Sequence, residues 1–352
     1  MRRGFPQFPF GIGPHVARAA RPTAGTVVAI PILAASLLFL FGASAFGQTL
    51  ELRSGTTVRF ATVEEGSKAL HVQDEFVDRL SPFDRSARTK TEGEVSTSAY
   101  LDFVGSQVKA WTDAEQQTLR DFLTSAKPKL EWMSVPLPAE ILFVKTSNDD
   151  EGGNPYTRGA AIVLPERVLQ GADAKLDHVV LHELFHVLSR HNPSLRAKLY
   201  AIVGFEMCNE IALPDSLAPR RVTNPDAPRM DVMIEVEHQG KRVRTTPVLV
   251  SKVEKFSRAD IRPFPMGYLD FMFAELEEKS GKWSIRSADG AAVLLDPMSI
   301  KGFFEKVGRN TPYIIHPEEI LADNFVIAVT EPANVPTPRV VKELKAALSK
   351  NP

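Results

Sequence analysis

The stretch DAKLDHVVLHELFHVLSR, residues 173–190, contains neither glycine nor proline. It reads as one uninterrupted amphipathic helix. Within it stands His182-Glu183-Leu184-Phe185-His186, the H-E-x-x-H pattern. Residues four apart lie on one face of a helix, so both imidazoles can reach a single metal ion. Glu183 sits beside them, where a carboxylate can take a proton from water at the metal. Val180, Leu181, Leu184, Phe185, Val187 and Leu188 make the opposite arc. That arc is expected to bury the helix and hold the histidines rigidly.

Two nearby histidines are weighed as further ligands. His178 falls on the metal face, but the helix rises about 12 Å from 178 to 186, too far for three residues to share one ion. It is expected in a supporting position or in solvent. His191 is rotated to the far side and leads into Asn192-Pro193, which is expected to start a second helix through about Val203. The longer H-E-x-x-H-x-x-G-x-x-H pattern of metzincins requires glycine at 189 and histidine at 192. Ser189 and Asn192 stand there instead, so that family is excluded.

A third ligand must come from elsewhere, and YIIHPEEILADNF at 313–325 offers one. Pro317 suits a first helical position, with Glu318 and Glu319 in the first turn, where carboxylates are favoured. Glu319 and Asp323 share a face, so one can bind metal while the other orients a ligating histidine through its free ring nitrogen. With these segments the chain resembles the gluzincins, zincin metallopeptidases that add a glutamate from a later helix to the two histidines. The C-terminal stretch is also similar to the Y-x-x-x-N-P-E-E-x-x-A-E-x-F segment of lethal-factor-like and Mlc-titration-factor-like members. Tyr313 stands six residues before Glu319, one fewer than in that pattern, and 132 residues separate His186 from Glu319.

The resemblance implies one zinc ion per chain, held by His182, His186 and Glu319, with an open position for water. It implies a peptide or protein substrate and Glu183 as general base. Tyr313 is the first choice for the donor that stabilises the oxyanion, followed by His316 and Tyr268. For Tyr268 a core role is the stronger expectation. Arg190 is expected to pair with Asp323, to meet a substrate carboxylate, or to form a plain salt bridge. Glu318 is the fallback ligand if the helix is rotated. In zincins an extended substrate pairs with the edge strand before the active-site helix, and Ala160–Leu164 is the candidate strand. A second class keeps the fold without cleavage: an exported binding or envelope-assembly module.

Working outward, 43% hydrophobic and 24% charged residues describe a globular protein. Lys+Arg at 42 against Asp+Glu at 43 leave no basic excess for a nucleic-acid partner. The single cysteine, Cys208, excludes an intrachain disulfide and a cysteine-built metal site. At the N-terminus, Arg2, Arg3, Arg18 and Arg21 precede 20 uncharged residues from Val27 to Phe46, ending near Ala43-Ser44-Ala45. Residues 1–47 thus read as a signal peptide or an N-terminal membrane anchor. Either way the remainder is exported, to the periplasm or the extracellular space.

The fold class expected is α+β. A zincin-like metallopeptidase core, its active-site helix packed on a small mixed sheet, occupies 136–352. An N-terminal α/β region spans 48–135, with strands and a short helix in 49–80. Ser86 to Ser98 is expected as a loop or linker, and the capping box Thr112-Asp113-Ala114-Glu115 opens a helix to about Ala126. Residues 204–310 are expected as an inserted subdomain, a β-hairpin over Met230–Glu254 around Gly240 followed by a helix over Met266–Lys279.

Overall fold

Residues 49–349 are described by a computed structural model, apart from 172, 260, 261 and 263. The expected leader at 1–47 lies outside the described residues. The chain is α+β. Strands β1 (Leu50–Arg53) and β2 (Thr56–Phe60) form a hairpin, and then come helices α1 (Val63–Leu70), α2 (Glu75–Asp78), α3 (Pro82–Arg88), α4 (Thr97–Ser106) and α5 (Asp113–Ala126). The Thr112 capping box is present: its side chain accepts from the Glu115 N–H, and Glu115 answers the Thr112 N–H. Ser86–Ser98 differs from the expected linker, since its ends lie in α3 and α4. Ser86 Oγ donates to Gly93 O at 2.5 Å and Val95 is buried, so local bonds and burial fasten the turn between them.

Strands β3 (Glu140–Thr146), β4 (Tyr156–Arg158) and β5 (Ala161–Pro165) complete a mixed sheet in the order β1-β2-β3-β5-β4. Strand β3 lies parallel to β2 and to β5, whereas β4 runs antiparallel to β5. Both sides of Pro136 therefore build one sheet. The expected edge strand, Ala160–Leu164, is internal. Gly159 has φ +58, a conformation that glycine adopts without strain, and it folds Tyr156–Arg158 back to become the edge.

After α6 (Glu166–Leu169), helix α7 (Asp173–His191) packs against β4 and β5. Its apolar arc is buried throughout, with Phe185 and Leu188 fully enclosed. Burying each such side chain stabilises the fold by about 1.5–3 kcal/mol. Helix α8 (Arg196–Ile202) follows one 3-10 turn after Asn192, matching the helix expected there.

The insertion is a second, antiparallel sheet in the order β10-β9-β8-β7-β6, built from β6 (Phe205–Met207), β7 (Val232–His238), β8 (Lys241–Ser251), β9 (Leu269–Lys279) and β10 (Lys282–Ile285). The hairpin expected around Gly240 is β7–β8. The helix expected over Met266–Lys279 is strand β9. Leu269, Phe271 and Phe273 are buried while Asp270 and Met272 are half-exposed, a period of two. Ser280 and Gly281, at φ +53 and +75, then turn β9 into β10. The chain closes with α9 (Phe303–Val307), α10 (Pro317–Thr330) and α11 (Pro338–Leu348), and α10 lies along α7.

Candidate metal centre

Helices α7 and α10 bring the candidate residues together. His316 is the N-cap of α10: its Nδ1 accepts the Glu318 N–H at 3.1 Å, and Pro317 begins the helix. The first turn thus presents Glu318 and Glu319, both buried, to the histidine face of α7. His182 Nε2 lies 3.0 Å from Glu319 Oε2, and His186 Nε2 lies 3.5 Å from the same oxygen. Each histidine holds a different carboxylate at its other nitrogen. His182 Nδ1 meets Asp323 Oδ1 at 2.9 Å and His186 Nδ1 meets Glu318 Oε1 at 3.3 Å.

Glu318 thereby acquires a defined place. It sits behind His186 and accepts from Ser189 Oγ at 2.9 Å and from Tyr200 OH at 2.5 Å. It is not aimed where Glu319 is. Asp323 also contacts His178 Nε2 at 3.1 Å, and it accepts from Thr311 Oγ1. Of the two places expected for His178, behind the site or in solvent, it takes part of each, touching Asp323 while its side chain stays 35% exposed. The pairing of Arg190 with Asp323 does not occur, because those three groups occupy Asp323. Arg190 turns to β4, donating to Thr157 Oγ1 at 2.6 Å and Gly159 O at 3.0 Å, and forms the plain salt bridge expected as the alternative, with Asp226 at 3.8 Å.

Charge balance in the site is set by burial against pairing. Burial works against a charged His182, but its bonds to Asp323 and Glu319 outweigh it and hold the ring at about 10. Burial likewise opposes ionisation of Glu319, and the two histidines overcome it, keeping this carboxyl well below the usual range. Glu183 has no such partner. Burial, with Asp226 next in effect, pushes it up to about 8. Its Oε2 is buried without a hydrogen-bond partner, as is His186 Nε2.

Tyr313 is half-buried, its ring stacked 6.1 Å from that of His182. Burial and the carboxylates of Glu319, Asp226 and Glu183 hold its phenol well above the usual value. Tyr268 is a core residue, packed edge-on against Phe83 at 5.6 Å and against Phe256 at 6.1 Å.

The segment Thr223–Pro228 belongs to the stretch 197–229, which in sequence reads as a place for specificity elements without a defined role, and it crosses the site as a strap. Asn224 Nδ2 donates to Glu319 Oε1 at 2.6 Å. Asp226 Oδ1 accepts from Thr157 N at 2.9 Å and from Thr157 Oγ1 at 2.5 Å. Its carboxylate shares a cluster with Glu183 and His186 in which the potential ligand atoms lie within 4.8 Å of one another. Buried groups fasten the strap at its start. Thr223 N donates to Asp84 Oδ2 at 3.0 Å, and Arg88 Nη2 donates to Thr223 O at 2.6 Å. Asn-Pro-Asp reads only as a turn in sequence. The one local signal was two polar residues bracketing a proline, which does not name the partner they face.

His182, His186 and Glu319 form a separate cluster whose potential ligand atoms likewise lie within 4.8 Å of one another. Ligands around one tetrahedral zinc stand about 3.3 Å apart, given bond lengths of about 2.0–2.2 Å. The observed 3.0 and 3.5 Å bracket that value. The donor set is therefore suited to zinc, with His186 Nε2 making no hydrogen bond and standing 3.5 Å from Glu319 Oε2.

Comparison with family profiles, with curated proteins and with solved structures found no match for this chain.

Proposed function

We propose that the chain is an exported zinc-dependent peptidase on a zincin-like fold, similar to the gluzincins. One observation carries this reading: two Nε2 atoms one helical turn apart converge on a single Glu319 oxygen, while separate carboxylates fix both rings from behind. Such backing carboxylates set the tautomer and raise ligand basicity. A bound zinc supplies Lewis acidity toward the scissile carbonyl and makes its water acidic near neutral pH.

The protein's own groups do the rest. Glu183, without a hydrogen-bond partner at Oε2, takes the proton of the attacking water and returns it to the leaving amine. Tyr313 donates to the developing oxyanion. An extended peptide pairs with β4, the edge strand. Thr157 N, the amide it would meet, is held by Asp226 in this structure, so substrate entry displaces the strap.

The strap also favours a second reading, a non-cleaving exported binding module whose site is filled by its own chain. Export in both cases rests on the basic and apolar N-terminus. Zinc content measured together with hydrolysis of a denatured protein separates the two readings. One zinc per chain with hydrolysis that a chelator abolishes supports the peptidase. Zinc without hydrolysis overturns it in favour of the module.

A further inference from the structure

Beside the histidine face, β4, α2, α8 and the strap enclose a cleft of about 200 Å³. Four guanidinium groups line it, Arg158, Arg190, Arg196 and Arg229, against the carboxylates Asp74, Glu75 and Asp231. Two of those acids are already answered. Asp74 accepts from Arg158 Nε at 2.6 Å, and Glu75 pairs with Arg229. Arg190 in turn stands 3.8 Å from Asp226 beside the cleft, and what remains are individual N–H groups without an acceptor.

Two of the donors are buried and have no partner. The Arg158 side chain is 3% exposed and is pinned by Asp74 and by Nη2 donation to Val72 O at 2.7 Å, yet its Nη1 bonds to nothing. His316, 7% exposed, lines the same cleft. Its Nδ1 accepts the Glu318 N–H, so the ring proton is on Nε2, which is also unpartnered. Arg196 uses only Nε, on Ser189 Oγ at 3.2 Å. Buried donors left unmet cost stability, and their convergence on a cleft marks a place for a ligand that accepts.

We propose that this cleft is a carboxylate-binding subsite, taking an acidic side chain or the free C-terminus of a bound peptide. A carboxylate only accepts, and its two oxygens match guanidinium N–H groups in pairs. Asp226 stands 3.8 Å from Arg190 Nη2, so the surplus here is of unmet N–H groups and not of net charge, which suits a monoanion better than a doubly charged group. The volume is below the range of about 300–1,000 Å³ usual for whole small-molecule ligands and fits one residue of a peptide. Thr157 and Gly159 of the edge segment border the cleft, as does Arg190, one turn beyond His186. A peptide that takes the place of Asp226 on β4 thus runs past Arg158, Arg190 and Arg196, carried by β4, α7 and α8 and not by the strap, and delivers one of its carboxylates to them. Its role as a substrate subsite rests on the peptidase reading; carboxylate binding does not.

The test uses the full chain carrying Glu183→Gln, so that probes survive, and three acetylated hexapeptides alike except for their acids. One has an internal glutamate and an amidated end, one has glutamine and a free C-terminal carboxylate, and the control has glutamine and an amidated end. Calorimetric titration should show at least one carboxylate peptide binding about tenfold or more tightly than the control. The tighter peptide identifies the source of the carboxylate. Adding Arg196→Gln should remove that preference while leaving control binding and zinc content unchanged, and Arg190→Gln serves as a second variant. Equal binding of all three peptides, no binding, or a preference that survives both substitutions overturns the proposal. Loss of the peptidase reading is seen separately, as absence of zinc or of hydrolysis in the unsubstituted chain.

Discussion

Replacing Glu319 tests the metal centre most directly, because it is the one carboxylate that faces both Nε2 atoms. Structural zinc sites bind with roughly 10–16 kcal/mol, so one of four ligands accounts for about 3–4 kcal/mol. Glu319→Ala should therefore weaken zinc binding by roughly 10²–10³-fold. Glu318 touches His186, and Asp323 touches His182, at Nδ1. Such outer carboxylates typically contribute about 10–100-fold, so Glu318→Ala and Asp323→Asn should cost that much and less than Glu319→Ala. Competition with a chromophoric chelator on protein shown to be folded by circular dichroism gives all three constants. If Glu318→Ala costs as much as Glu319→Ala, the register of α10 assigned to the metal is wrong.

Four further outcomes are expected. Glu183→Gln should retain one zinc per chain while kcat falls by about 10²–10⁴-fold, since only proton transfer is lost; unchanged turnover removes Glu183 as the base. Tyr313→Phe should lower kcat by about 10²–10³-fold with KM nearly constant, because an oxyanion donor acts in the transition state; a fully active Phe variant passes the role to His316. Asp226→Asn keeps an acceptor for the Thr157 amide but removes the charge beside Glu183, so the acid limb of kcat/KM should move to lower pH; a limb that stays or moves upward contradicts that coupling. Asp150 is buried and pushed up to about 6 by that burial. Folded protein therefore holds a proton that unfolded protein has released between about pH 4 and 6, and stability falls as pH rises through that window. Asp150→Asn should avoid most of this loss, about 3 kcal/mol at pH 8 in urea unfolding.

The helices of the candidate site were legible because local signals agree with their tertiary roles. In α7 the apolar arc coincides with the buried face, and the histidine face is the one turned to the carboxylates of α10. In α10, His316-Pro317 supplies the cap and first turn that aim Glu319. Strand β9 was misread because a charge-rich run, Glu275-Leu-Glu-Glu-Lys279, has good helix propensity, whereas the Leu269-x-Phe271-x-Phe273 alternation packs as a sheet. Tertiary burial overrode propensity there. The edge strand was displaced by one hairpin for a smaller reason, a single glycine at positive φ.

The strap was illegible for a different reason, since its meaning lies wholly in long-range partners. Asn224 and Glu319 are 95 residues apart, and Asp226 and Thr157 are 69 apart. No period or motif couples them. Their arrangement still follows from elementary costs. An edge-strand N–H and a carboxylate oxygen that are both buried each need a partner. Asp226 and Asn224 answer both groups from a single turn. On the peptidase reading, the same bonds that complete the site are those a peptide has to replace, and one six-residue segment supplies them.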